Sequence, residues 1–321
     1  MIALVTGGSG FIGTNLVGLL RAQGDRVVSV DVRPPQDPAH IESFESLDVL
    51  DRVAIAEVIA RVTPNIVYHL AARTDLDGAT VAGYRANVEG TQNLVDALNA
   101  AGFSGRLVMV SSMLVCRNGY VPAHSTDYQP DSPYGESKVA AEQVVRSSAL
   151  DWVICRPTSI WGPWFAAPYR DFFDSVRTGR YVHPGRHDVV KAFGFVGNVT
   201  RQLVSAASEA ASGSTHYLSD PHEYSIRSFA DQIAVVNGRR VRTVPVALLR
   251  LAGLGGDVAK RLGLMTAPPL TSFRLRNMLT STRFDTTEID ELVTRRFGPE
   301  RIDLEAAVTE TTRWLDEQEG R

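Results

Sequence analysis

The sequence predicts an α/β protein, a doubly wound parallel sheet with a second, smaller mixed α/β domain. Three observations carry this: short apolar runs alternate with helix-period segments through the first half, a glycine-rich turn follows the first apolar run, and the texture changes after Pro157. Residues 2–6, 26–31, 65–71, 106–111 and 151–156 are short, rich in Val, Ile and Leu, and bounded by turn formers, so they read as strands covered on both faces. Between them, 11–23, 52–62, 84–101 and 132–149 carry apolar residues at three- and four-residue spacing and read as helices. Alternation of this kind implies right-handed crossovers.

Beyond Pro157, residues 158–192 are rich in Trp, Tyr, Phe, Pro and Gly, which reads as loops around one short helix at 169–178. A strand-then-helix pattern over 195–210 rejoins the first domain. Helices at 226–236, 246–262 and 303–318 suggest the smaller domain. The expected division is 1–160, rejoined by about 193–215, for the first domain, and 161–192 with 216–321 for the second.

A chain of 321 residues, 44% hydrophobic, with mean hydropathy of −0.06, suits a soluble globular protein. Thirty-three basic against 36 acidic residues leave a net charge of −3, which gives no electrostatic reason to expect a nucleic-acid or membrane partner. Cys116 and Cys155 belong to no zinc-binding spacing, so no metal and no disulfide framework are expected, and a reducing, cytoplasmic setting is the default. The apolar start, MIALV, lacks a basic leader and is too short for a signal segment, so it reads as the first strand.

The most informative motif is Thr6-Gly7-Gly8-Ser9-Gly10-Phe11-Ile12-Gly13, between the first strand and first helix. Glycines at 7, 10 and 13 permit a tight turn, close approach of a pyrophosphate, and close packing of helix on strand. Asp31 ends the second strand, where a carboxylate accepts hydrogen bonds from an adenine-ribose diol and opposes a 2′-phosphate. This favours NAD, while Arg33, two residues on, keeps NADP open because a basic side chain can hold that phosphate.

Tyr134 and Lys138 form a second constellation, four residues apart on one helical face. An ammonium beside a phenol favours phenolate and is expected to lower its pKa, making Tyr134 an acid or base near neutrality. Alone, the pair also fits a solvated helix face. Upstream, Arg106 to Ser112 reads as a strand whose carboxyl end stops at two serines, where ligands of open α/β sheets bind.

In order and spacing these pieces resemble the extended short-chain dehydrogenases/reductases, the NAD-dependent epimerase/dehydratase group with its nucleotide-sugar 4-epimerases. Asp48-Val49, His69 to Ala72, Asn87 to Thr91, Arg156-Pro157 and Trp161 to Pro163 match as well. The resemblance implies a Rossmann domain. Gly7, Gly10, Phe11, Ile12 and Gly13 would line the NAD pyrophosphate, Asp31 the ribose, and Asp48 with Val49 the adenine. It likewise implies Leu70, Ala71 and Ala72 beneath the cofactor, with Asn87 and Pro157 also in its site. Lys138 would bind the nicotinamide ribose, Ser112 the reacting oxygen, and Tyr134 would exchange its proton.

On the substrate side, Ser159 replaces an asparagine common in sugar epimerases, and Lys191 stands where relatives place a diphosphate-binding arginine. Arg274 with Arg276 would be a second clamp, or all three are solvated charges. Trp161, Trp164, Phe165 and Tyr169 would stack on a base or sugar, or pack internally. The resemblance also implies a homodimer through helices 84–101 and 132–149.

Met113 and Leu114 follow Ser112 where dehydratases of the group carry Asp and Glu, and neither can move a proton. What remains is hydride transfer with one hydroxyl proton: a nucleotide-sugar 4-epimerase, or a reductase of a 4-keto sugar or another small carbonyl compound. A non-catalytic dinucleotide-sensing protein on the same fold is the reading of another class.

Overall fold

The computed structural model describes residues 1–185, 189–261, 275 and 279–320. Its strands are β1 (Ile2–Thr6), β2 (Arg26–Asp31), β3 (Phe44–Ser46), β4 (Ile66–His69), β5 (Arg106–Val110), β6 (Asp151–Pro157) and β7 (Ser159–Trp161). Then come β8 (Val182–Pro184), β9 (Val190–Lys191), β10 (Phe193–Phe195), β11 (Ser214–Leu218), β12 (Tyr224–Ser225) and β13 (Arg242–Val244). The helices are α1 (Phe11–Ala22), α2 (Arg52–Val62), α3 (Arg85–Ala100), α4 (Pro133–Arg146) and α5 (Tyr169–Arg177). They continue with α6 (Val196–Glu209), α7 (Ile226–Val236), α8 (Val246–Arg261), α9 (Thr287–Phe297) and α10 (Leu304–Gln318).

Seven parallel strands form the main sheet in the order β11-β6-β5-β4-β1-β2-β3. The chain therefore leaves β1 in both directions, and a crevice opens beyond the carboxyl ends of β1 and β4, where open α/β sheets bind ligands. Alternation along the strands feeds two cores. Ala3 and Val5 of β1 face α1 and α6, whereas Leu4 faces α2, α3 and α4. The α1 and α6 core runs without a break into Trp161, Phe173, Phe195 and Phe229, so the later segments share the core of the sheet.

Five strands and a helix go beyond the sequence expectation. β3 is three residues at one edge of the sheet, and β11, at the other edge, mixes polar Ser214, Thr215 and His216 with only two buried positions. An edge strand buries one side only, so neither leaves a continuous apolar run. α9 was absent from the expected helices although Ile289, Leu292 and Val293 form its buried stripe. Residues 158–192 hold β7, β8 and β9 besides the expected helix.

Two polar constructions cross the interior. In the first, Thr6 Oγ1 meets His69 Nδ1 at 2.7 Å, and His69 Nε2 meets Thr91 Oγ1 at 2.9 Å. Thr91 donates to the Asn87 carbonyl at 2.6 Å, Asn87 Nδ2 to Ser137 Oγ at 2.9 Å, and Ser137 to the Tyr134 carbonyl at 2.7 Å. The chain of bonds ties β1, β4, α3 and α4 together. Because Thr91 spends its proton on Asn87, His69 is assigned as the Nε2–H tautomer.

The second centres on Glu142 of α4, fully buried. Arg156 Nε reaches its Oε1 at 2.8 Å and Arg156 Nη2 its Oε2 at 2.7 Å. Ser111 Oγ donates to Oε1 at 2.6 Å and Tyr128 to Oε2 at 2.8 Å. Burial works to raise the carboxyl pKa, but these donors outweigh it and hold it below the usual value.

Removing one partner of such a pair strands the other charge. Arg156→Met is therefore expected to cost about 3–5 kcal/mol in urea unfolding, and a loss below about 1 kcal/mol would contradict the coupling. Burial, with a smaller push from Lys138, lowers the His69 pKa from 6.5 to about 3. Between those values the unfolded chain binds a proton that the folded one refuses, so stability falls as pH drops through 6.5 toward 3, at about 1.4 kcal/mol per pH unit. Asp220, raised by burial to about 6, acts with the opposite sign: its contribution is full below its unfolded value near 4 and disappears as pH rises through 6. Unfolding free energies of the wild type and His69→Gln between pH 4 and pH 7 should separate the two: the variant loses the acid-side decline, and parallel curves would refute the assignment.

Candidate active site

The glycine turn is shaped by the atoms behind it. Gly7 adopts a φ of +74°, and a Cβ there would stand 2.5 Å from the Ala71 nitrogen. A Cβ on Gly13 would run into the Gly7 carbonyl. Gly10 differs: its Cβ direction meets only the Gly7 carbonyl oxygen, at 3.2 Å. Gly10 caps α1 without a side-chain bond, and Thr14 is the first residue of the helix whose N–H finds a helix-type acceptor, the Gly10 carbonyl at 2.8 Å. The preceding N–H groups, of Phe11, Ile12 and Gly13, sit at the positive end of the helix dipole, which suits a pyrophosphate.

Asp31 closes β2 beside this turn. Its Oδ2 accepts from Ser9 N and its Oδ1 from Arg33 N, both at 3.1 Å, which leaves each oxygen a lone pair for a ribose hydroxyl. The Arg33 side chain is exposed and makes no ion pair with any described residue, and its carbonyl accepts from Ser9 Oγ at 2.8 Å. Exposed Asp48 turns its carboxylate back onto Leu50 N at 2.9 Å, and Val49 is buried against α3 at Gly90, where a Cβ would lie 2.6 Å from the Val49 side chain. Half-buried Leu70, Ala71 and Ala72 follow β4, with Leu70 N on the Thr6 carbonyl at 2.9 Å. A dinucleotide fits this cradle.

Ser112 and Tyr134 are brought together by a packing constraint. Ser132 caps α4 through Gly135 N at 3.1 Å, with Pro133 at the first helical position. A Cβ on Gly135 would collide with the Leu114 carbonyl, so only glycine lets the first turn of α4 press on the turn Met113–Val115. Ser112 caps that turn, its Oγ accepting from Leu114 N at 3.1 Å. Tyr134 is buried edge-on against Tyr84, ring centroids 5.8 Å apart.

The electrostatics correct one expectation. Burial pushes the Tyr134 phenol up to about 12, against a hydrogen bond to Ser112 that lowers it. Lys138 does not pull it below its ordinary value: its Nζ donates to the Val110 carbonyl at 2.8 Å, and burial lowers its own pKa to about 8 despite Glu142 one turn away. Desolvation is the largest cause of both shifts.

Of the other expected site residues, Asn87 is buried and spends both amide protons, on Arg73 O at 3.1 Å and Ser137 Oγ at 2.9 Å, while Oδ1 accepts from Arg73 N at 2.7 Å. It thus fixes the loop after β4 against α4. Pro157 ends β6 in register with Leu218. Ser159 is buried and hydrogen-bonds half-buried Tyr169. Lys191 is half-buried without an ion pair to any described residue, its pKa lowered by burial to about 8, and it lines a cavity of about 210 Å³ with Ser219, Asp220, Glu223 and Asp285. Arg274 and Arg276 lie outside the described residues.

Trp161 is fully buried, its ring 4.7 Å from Phe229 and its N–H on Tyr224 Oη at 2.8 Å, and Phe165 is buried against Phe173 and Trp314. Both are core residues with no face left for a sugar or base. Sequence reasoning missed Tyr84, which packs on Tyr134, and Glu142, which ties α4 to Ser111. The Lys138 to Glu142 spacing of one helical turn was the available signal for the last.

Comparison with known proteins agrees with this geometry. The model of the NAD-dependent epimerase/dehydratase family matches residues 3–219. The 3-beta-hydroxysteroid dehydrogenase of Mycolicibacterium neoaurum is 31% identical over 267 residues, 76% of this chain and 72% of that one. An N-acetyl-alpha-D-glucosaminyl-diphospho-ditrans,octacis-undecaprenol 4-epimerase of Escherichia coli O157:H7 is 23% identical over 296 residues, 89% and 88% of the two chains. The crystal structure of the UDP-glucose 4-epimerase of Thermotoga maritima superposes with a TM-score of 0.75 at 20% identity, over 99% of each chain, and shares the fold. With an NAD cradle at the switch point of its sheet and a family match over most of its length, the chain belongs to the NAD-dependent epimerase/dehydratase family.

Proposed function

We propose that the chain is a nucleotide-sugar 4-epimerase that oxidises and re-reduces one carbinol carbon. The observation that carries this reading is the Ser112–Tyr134 pair with apolar Met113 and Leu114 beside it: one proton-exchanging hydroxyl and no second acid. When bound, NAD supplies the hydride acceptor and donor. As phenolate, Tyr134 would take the hydroxyl proton during oxidation, and as phenol it would return that proton during reduction. Ser112 holds the same oxygen, stabilising alkoxide-like charge. Lys138, cationic below about pH 8, lowers the cost of a buried phenolate and positions the cofactor ribose. Lys191, an ammonium with no ion pair to a described residue, would hold a diphosphate at the cavity it shares with Asp220, Glu223 and Asp285.

The same reading makes the protein a homodimer through the outward faces of α3 and α4, which frame a groove of about 390 Å³. It also places the protein in the cytoplasm, where the two buried, unpaired thiols of Cys116 and Cys155 stay reduced. A second reading, net dehydrogenation or reduction at an apolar alcohol or ketone, is favoured by the 31% identity to a hydroxysteroid dehydrogenase.

A screen of UDP-, GDP-, CDP- and dTDP-sugars with NAD, followed by proton NMR, separates these readings. An epimerase builds the C4 epimer with no net NADH. Stoichiometric NADH from a sterol alcohol, with no isomer from any sugar, would establish the second reading in its place. Neither change, with NAD bound, would indicate a sensor. Tyr134→Phe is expected to lower turnover by roughly 10²–10⁴-fold while NAD still binds, and undiminished turnover would remove Tyr134 from the reaction.

A further inference from the structure

α8 carries an apolar face turned away from the protein. Leu248, Leu251, Leu254 and Val258 are 56%, 66%, 57% and 52% exposed, and among the helix's described residues only Gly253 is buried. At about 3.6 residues per turn these four side chains fall within one arc of roughly 120°, opposite the half-buried Leu249. Arg250 and Arg261 lie along one edge of that arc. The approach to the helix is basic too: Arg239, Arg240 and Arg242 are exposed, and Arg239 packs beside Gly179, next to exposed Arg180. Residues 239–261 hold six Arg or Lys against the single acid Asp257, in a chain whose net charge is −3. None of Arg239, Arg240, Arg242, Arg250 and Arg261 makes an ion pair with a described residue. No helix among the described residues is long and apolar enough to cross a membrane.

We propose that α8 and its basic approach form a peripheral docking surface for an anionic lipid bilayer. A helix with a narrow leucine face edged by arginines lies in the headgroup plane, apolar side chains inserted and guanidinium groups on lipid phosphates. A second copy of the chain fits less well. Four side chains present far less than the about 800 Å² per partner of a stable interface, and two-fold pairing would set one arginine cluster against its own image. The net charge conceals this surface because the basic residues are concentrated in one segment. The inference is independent of which alcohol the site oxidises.

The test is co-sedimentation of the full chain with phosphatidylcholine vesicles, with and without phosphatidylglycerol. Binding is expected only to the anionic vesicles, and it weakens as NaCl rises from about 0.1 to about 0.5 M. The double substitution Leu251→Asp and Leu254→Asp should weaken it at least about tenfold, as should Arg239→Glu with Arg240→Glu, with melting temperature and NAD affinity unchanged. Because both pairs are exposed, an unchanged melting temperature separates lost docking from lost folding; milder Leu251→Ser and Leu254→Ser serve if it changes. Absence of wild-type binding, binding indifferent to the leucine changes, or a dimer dissolved by those changes without vesicle binding would each overturn the proposal.

Discussion

Glu142 is the side chain through which the end of the sheet that carries Ser112 is joined to the helix that carries Tyr134 and Lys138. Its two oxygens take bonds from Ser111 at the end of β5, from Arg156 in β6 and from Tyr128 in the loop before α4. Ser112 follows Ser111, while Tyr134 and Lys138 precede Glu142 on its own helix. One carboxylate thus fixes the strand that presents the serine relative to the helix that presents the phenol. A buried ion pair returns little net stability, because desolvating two charges offsets most of their attraction. What this one supplies is geometry. Apolar residues could fill the space but would not dictate how β5, β6 and α4 are set against one another.

The Thr6 to Tyr134 chain of hydrogen bonds does the same from the other side. It begins at the carboxyl end of β1, where the glycine turn starts, and ends on the carbonyl of Tyr134. The glycine turn and Tyr134 are therefore coupled through bonds buried on every side. Asn87 belongs to this bracing: its carboxamide protons are both taken, and the loop it ties down carries Ala71 and Ala72 across the crevice. Polar groups this deep are tolerated only when each finds a partner. The buried polar positions around the site form connected chains for that reason.

Much of this was legible in sequence where chemistry forces residue type. Gly7 is required by the backbone of Leu70 and Ala71 behind the turn and Gly13 by the backbone of the turn itself, so the glycine pattern announced the cradle. Tyr134 and Lys138 were visible by helical spacing. The sign of the tyrosine's titration was not, because spacing shows which groups share a face and says nothing about how much water each retains. β3 and β11 escaped for a related reason: an edge strand has one buried side, and its apolar signal is halved. Trp161 and Phe165 read equally as stacking platforms or core, since an aromatic side chain serves both and only burial distinguishes them.

The high phenol pKa and the low ammonium pKa have one origin and a functional sense. Both groups are dehydrated, and a dehydrated site penalises any charge until an opposite one arrives. Burial thus favours the uncharged forms of both Tyr134 and Lys138. In the proposed reaction, a substrate oxygen held by Ser112 would meet surroundings in which water does not compete for the proton and each hydrogen bond is strengthened by the low dielectric. Oxidation would first require the phenol to lose its own proton, which the same dehydration opposes until a counter-charge is in place. The Glu142 and Asn87 networks preserve that dehydration by keeping the crevice walls packed, so that the same burial which raises the phenol's pKa makes the proton's passage sensitive to what binds beside it.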